Sequence, residues 1–194
     1  MKICFATHNA DKAREVQEML PANIEILDLK SLGFHEEIEE NGTTIRENAL
    51  IKAKAVFDKL NIPCFADDTG LEVFSLNGEP GVFSARYAGS QKDPEANMAR
   101  LLGNLEGKTD RTAQFKTVIA YIGNDGTEHV FEGIATGHIL EKKRGQQGFG
   151  YDPVFQPTGF GQSFAEMSTQ EKNRISHRAK AFEKLVSYLK SHSQ

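Results

Sequence analysis

Short apolar segments alternate with capped helical segments through the first third of the chain, and a long hairpin follows. That order constrains the fold more than any other feature of the sequence. KICFA at 2–6 reads as a buried strand. NADKAREVQEML at 9–20 carries Ala13, Val16, Met19 and Leu20 at helical spacing, with Asn9 or Asp11 as its cap and Pro21 just past its end. IEILDL at 24–29 is a second strand, and Thr44 with Glu47 forms a capping box that opens a helix ending near Asn61. PCFA at 63–66 is a third strand, DDTG at 67–70 the loop after it, and LEVFSL at 71–76 a strand again. Asp93-Pro94 starts another helix, running to about Leu102. Asn124-Asp125-Gly126 joins two long β-type runs, 112–123 and 127–140, as a hairpin. The stretch 144–161 is glycine-rich and irregular, and 168–190 is helical in pattern behind a second capping box, Ser168 with Glu171. These elements imply an α/β protein: an elongated mixed β-sheet flanked by helices. The hairpin supplies material for a second lobe, and so for a cleft between two lobes of one domain spanning 1–194.

Composition narrows the function. With 194 residues, 39% hydrophobic and 26% charged, the chain has enough apolar material for a real core. No run is long enough to span a membrane, and MKICFATHNADK lacks a signal-peptide pattern, so a cytoplasmic location is expected. Cys4 and Cys64 both sit in apolar strands without metal-ligand spacing, as reduced, packed thiols. A net charge of −4 argues against broad nucleic-acid binding, yet leaves room for a small anionic substrate neutralised by a few cations and a divalent metal.

Five constellations carry chemistry in their residue types. Thr7-His8-Asn9-Ala10-Asp11-Lys12 ends a strand and begins a helix: either an ordinary capped turn or a phosphate cradle at a helix N-terminus with Lys12 one turn in. Asp67-Asp68, with the acids at 36–40, is either a solvated turn or a carboxylate site for Mg²⁺ and for preparing a water. Gly148-Phe149-Gly150-Tyr151-Asp152 is either a core aromatic in a tight turn or a platform where Phe149 stacks on a base and Asp152 accepts from it. Lys172, His177 and Arg178 cannot share one face of an unbroken helix, being about 140° and 240° apart from Lys172. Either they form a solvated face or the helix breaks near Ser176 and restarts with His177 and Arg178 in its first turn. In GVFSARYAG at 81–89, Ser84 and Arg86 are supporting candidates for phosphate contact.

Together, in this order, THNADK (7–12), GTTIRENALIKA (42–53), FADDTGLEV (65–73), PGVFSARYAG (80–89), GFGYDPVF (148–155) and EMSTQEKNRISHRAKA (166–181) resemble the inosine triphosphate pyrophosphatase family, nearly end to end. The resemblance implies Mg²⁺-dependent hydrolysis of ITP, dITP and XTP to the monophosphate and pyrophosphate, which cleanses the nucleotide pool of deaminated purines. It also implies a nucleotide cleft between the lobes and a homodimer. By position, Thr7, His8, Asn9, Ala10, Asp11 and Lys12 would hold phosphates. Asp68 would be general base and metal ligand, with Thr69 touching the substrate. Phe149, Gly150, Tyr151 and Asp152 would cradle the base, and Lys172, His177 and Arg178 would meet its oxo edge. A further acidic metal ligand is expected just before Gly42, with Glu39 and Glu40 both eligible. His8 stands where a small residue is often seen, so no role for its imidazole is implied.

Overall fold

The computed structural model describes residues 2–8 and 10–192. Its elements are β1 (Lys2–Phe5), α1 (Ala10–Met19), β2 (Glu25–Asp28), α2 (Ile45–Leu60), β3 (Cys64–Val73), α3 (Pro94–Asn104), β4 (Thr112–Ile122), β5 (Glu128–Ile139), β6 (Phe155–Pro157), α4 (Thr169–Ile175) and α5 (His177–His192). The six strands form one sheet in the order β2-β1-β3-β4-β5-β6. β1 runs parallel to β2 and to β3, whereas β5 and β6 are antiparallel, so the sheet is mixed, as the sequence pattern implies.

Helix boundaries follow local chemistry. The Thr44 side chain accepts from the Glu47 N–H and the Glu47 carboxylate reaches back, while Asn61 closes α2 in the left-handed region at φ 49°. Asp93 caps α3, with Pro94 at its first position. Ser176 is extended, φ −68° and ψ 153°, and separates α4 from α5. Its Oγ accepts from the Ala179 N–H at 3.1 Å, so the helix restarts under its own cap.

The chain falls into two compact units: one from residues up to Asp68, Thr117–Glu132 and from Lys180 on, the other from Thr69–Lys116 and Gly133–Ala179. In the first, Ile3, Phe5, Phe65, Ile119, Val16 of α1 and Phe182 and Leu185 of α5 pack as one core. Phe5 stacks on Phe65 at 4.6 Å, and Phe182 meets Phe65 edge-on at 5.7 Å. In the second, Leu71, Val73, Met98, Leu101, Phe115, Phe155 and Phe164 are prominent in the core.

One expectation fails here. Asp67-Asp68-Thr69-Gly70 is not a loop between strands but the interior of the ten-residue β3. The tetrapeptide has turn chemistry, but β3 lies between β1 and β4, and pairing in the sheet overrides local preference. The apolar run after it leaves the strand at Val73 and turns into a 3₁₀ segment, Phe74–Leu76.

Candidate active site

Topology supplies a site before any side chain is considered. From β1 the chain goes out to β2 and returns past β1 to β3, so the strand order reverses between β1 and β3. Ligands of open α/β sheets bind beyond the carboxyl ends of strands at such a reversal. Right-handed crossovers also put α1 and α2 on opposite faces. Side chains of β3 then alternate between those helices. Phe65 packs in the core that contains Val16 of α1, while the Cys64 thiol donates to the Ala53 carbonyl of α2 at 3.3 Å. Asp67 shares the parity of Phe65, and it pairs with Lys12 of α1 at 2.6 Å. Asp68 shares the parity of Cys64, and its Oδ1 accepts from Lys52 of α2 at 3.0 Å. The two neighbouring acids are thus committed to different helices.

Lys52 also reaches Glu40 Oε2, at 3.2 Å, so Glu40 and Asp68 converge on one ammonium. Burial pushes the Asp68 carboxyl up to about 6; Lys52 pulls it back only in part, and Glu40 adds to the rise. Glu40 goes the other way. Burial would raise it, but the Lys52 charge, with hydrogen bonds from Lys52 and Asp68, holds its carboxyl below the usual range. For Lys52, burial is outweighed by Asp68, Asp67 and Glu40, which keep it firmly protonated. Among the described residues, three carboxylates, Asp67, Asp68 and Glu40, thus lie with two ammoniums, Lys12 and Lys52.

Among the described residues no group of three or more His, Cys, Asp or Glu is arranged to hold a metal by itself. Two converging carboxylates are the donor set that Mg²⁺ uses when substrate phosphates and water complete its shell. Glu40 and Asp68 fit that ion, and fit poorly one that needs a closed protein cage.

A second group lies within the other unit. The Asp152 Oδ2 accepts from the Phe149 N–H at 2.9 Å and from Lys172 Nζ at 2.6 Å. Gly148, at φ +76°, allows this closure: a Cβ there would lie 2.1 Å from Asp152 Oδ2. The Phe149 ring remains 59% exposed, with Lys172 Nζ 4.8 Å and the Arg178 guanidinium 5.3 Å from its centroid. His177 is buried and stacks on Phe115 at 4.6 Å and 14°. An exposed aromatic ring with two cations beside it suits a flat ligand with acceptor atoms on its rim.

Residues 3–188 match the model of the Ham1 family. The chain belongs to the Ham1 family. It is 55% identical over 189 residues to a dITP/XTP pyrophosphatase of Christiangramia forsetii, covering 97% of this chain and 99% of that one. It is 52% identical to the protein of the same description from Flavobacterium psychrophilum, over 98% of this chain and all of the other. The Ham1 protein of Staphylococcus aureus has a similar structure, with TM-score 0.92 and 41% identity over 98% of this chain and 99% of that chain.

Within this Ham1-family chain the expected residues divide. Asp68 and Glu40 meet on Lys52, while Lys12 pairs with the neighbouring Asp67; Glu39 and Glu40 are both exposed, but Glu39 makes no such contact among the described residues. Thr7 is half-buried just past the end of β1, and Thr69 half-buried just after Asp68. His8 contacts the Glu36 carbonyl through Nε2 at 2.8 Å, which ties the acidic segment to the loop after β1. Asn9, and the side chains of Ala10 and Asp11, lie outside the described residues. Phe149, Asp152, Lys172 and Arg178 come together, and His177 joins the helix start beside Arg178.

Tyr151 is buried in the core, and its hydroxyl donates to the Ser84 carbonyl at 2.7 Å, so its side chain anchors the loop. Ser84 is likewise committed, donating to the Gly81 carbonyl and accepting from the Leu71 N–H.

Lys52 was missed by the motif reading. Its signal is in α2, where Ile45, Asn48, Ala49, Ala53 and Val56 are buried and Lys52 falls in the same stripe. A lysine inside a buried stripe needs a charged partner, and three acids provide it.

Proposed function

We propose that this chain is a Mg²⁺-dependent nucleoside triphosphate pyrophosphohydrolase acting on ITP, dITP and XTP. The relatives described as dITP/XTP pyrophosphatases support the substrate class. The observation that carries the reaction is Asp68: a buried carboxylate at the strand-order reversal, lifted to about 6, hydrogen-bonded by Lys52 and beside Glu40. A carboxylate poised there can orient a water and take its proton.

Lys12 and the helix start after β1 take the phosphates, and Asp67 fixes Lys12 at 2.6 Å. Glu40 and Asp68 would hold Mg²⁺, and the bound ion would supply charge neutralisation for the polyphosphate. Asp68 aligns a water for in-line attack at the α-phosphorus. Lys52 keeps both carboxylates in place between turnovers.

The base stacks on Phe149. Lys172, Arg178 and His177 present donors to the C6 carbonyl of hypoxanthine or xanthine. Adenine's C6 amino group would face those donors without an acceptor, a mismatch that costs more than a lost contact. Guanine shares the carbonyl, so its exclusion rests on other contacts.

The test is incubation with Mg²⁺ and ITP, XTP, ATP or dUTP at equal concentration, with products identified. The expected result is IMP and pyrophosphate in equal amounts from ITP, XTP handled alike, ATP and dUTP slow, and turnover about 10²–10⁴-fold lower in Asp68→Asn. Tight ITP binding without pyrophosphate release would make the chain a nucleotide sensor and contradict the proposal.

A further inference from the structure

Residues 35–43 join β2 to α2 without helix or strand, yet Glu40 must stand beside Asp68 for the carboxylates to act together. The segment is strapped side chain by side chain to α2. Glu47 accepts from Thr43 N–H at 2.6 Å and Thr43 Oγ1 at 2.8 Å; Asn48 Oδ1 accepts from Gly42 N–H at 2.8 Å; Lys52 donates to Glu40 at 3.2 Å. The segment therefore runs back along the helix, and Asn48 is the strap nearest Glu40 that does not itself belong to the charged cluster.

Asn48 is an unusual choice for that place. It is 1% exposed, one helical turn before Lys52, and its Nδ2 is buried with no hydrogen-bond partner. Its orientation is fixed, because Gly42 N–H must meet an acceptor and only Oδ1 is one. A buried, unsatisfied amide nitrogen costs stability, while an apolar side chain of like volume would leave the Gly42 N–H without its acceptor. Asn48 is thus kept for that one contact, in spite of the polar atom it strands. Gly42 shows the same closeness from the other side: a Cβ there would lie 2.6 Å from Asn48 Oδ1 and 2.8 Å from Glu47 Cβ.

From these contacts we infer that Asn48 is a positioning residue for Glu40: by holding the Gly42 N–H it sets where the Glu40 carboxylate meets the metal. The inference rests on the reading of Glu40 and Asp68 as the Mg²⁺ carboxylates. Residues that orient a metal ligand from behind typically contribute ten- to a hundred-fold in metal affinity.

The experiment is a Mg²⁺ titration of the full chain, read by calorimetry without nucleotide and by ITP turnover. The proteins are wild type, Glu40→Gln, Asn48→Leu, the double variant and Gly42→Ala. Asn48→Leu is expected to weaken Mg²⁺ about ten-fold. Its metal-free Tm should stay within about 4 °C of wild type, and kcat should recover at saturating Mg²⁺. Gly42→Ala should reproduce that shift, which keeps the inference testable if Asn48→Leu folds poorly. The double variant should be no weaker than Glu40→Gln, because Asn48 acts through Glu40. Wild-type Mg²⁺ affinity in both Asn48→Leu and Gly42→Ala, or losses that multiply in the double variant, would overturn the inference. An unchanged Glu40→Gln would instead remove Glu40 as a ligand, and with it the premise.

Discussion

Asp67 and Asp68 are adjacent, both buried, and differ in which lysine they meet. Asp68→Asn should lower turnover by about 10²–10⁴-fold, the usual worth of a general base. Asp67→Asn should act mainly through Lys12, as weaker nucleotide binding and lower stability, because it breaks a buried ion pair. Steady-state kinetics with denaturant titration separates the two; equal, small effects would contradict the division of roles. Asp68 also carries a pH signature. Its folded value is raised from 3.8 to about 6, so between those values the folded state binds more protons than the unfolded one. Its contribution to stability is thus present at low pH and lost as pH rises to about 6. In the metal-free protein, Asp68→Asn lacks that loss. The variant should gain on wild type by about 1–3 kcal/mol between pH 4 and pH 7.5, measured by urea unfolding. Parallel pH profiles would show that Asp68 is not desolvated in solution.

At the scale of elements, the break between α4 and α5 brings Lys172 near Phe149 while His177 and Arg178 begin a new helix. It was legible because the angular spread of Lys172, His177 and Arg178 is incompatible with one helix, and Ser176 is a good cap. The stack of His177 on Phe115 was not legible, since Phe115 lies on β4, 62 positions earlier, in what reads as an ordinary hairpin strand. Phe115→Leu keeps an apolar side chain but removes the stacked ring that fixes the imidazole plane. The expected outcome is a fall of about two- to twelve-fold in the ITP-to-ATP ratio of kcat/KM, from about 0.5–1.5 kcal/mol of lost ring contact. The Mg²⁺ requirement should not change. An unaltered ratio would leave Phe115 as core packing only. β3 shows the opposite limit. Asp-Asp-Thr-Gly has turn chemistry, and only its place between β1 and β4 makes it strand.

For the molecule as a whole, the alternation of elements sufficed to read a mixed α/β sheet, and the family resemblance supplies the expected phosphate, metal and base roles of the polar motifs. What sequence order hid was contact between distant side chains. Lys52 reads as one more polar residue of a helix until its place in the buried stripe of α2 is noticed, and Glu39 and Glu40 are equivalent until the straps from α2 select Glu40. Among the described residues no helix is long and apolar enough to cross a membrane. In the proposed reaction Asp68 prepares a water that attacks the α-phosphorus of an oxopurine nucleoside triphosphate. Hydrolysis of ITP with Mg²⁺ in ¹⁸O-labelled water tests it most directly, by mass spectrometry of both products. One labelled oxygen should appear in IMP and none in pyrophosphate; label in pyrophosphate, or release of orthophosphate in its place, would contradict it.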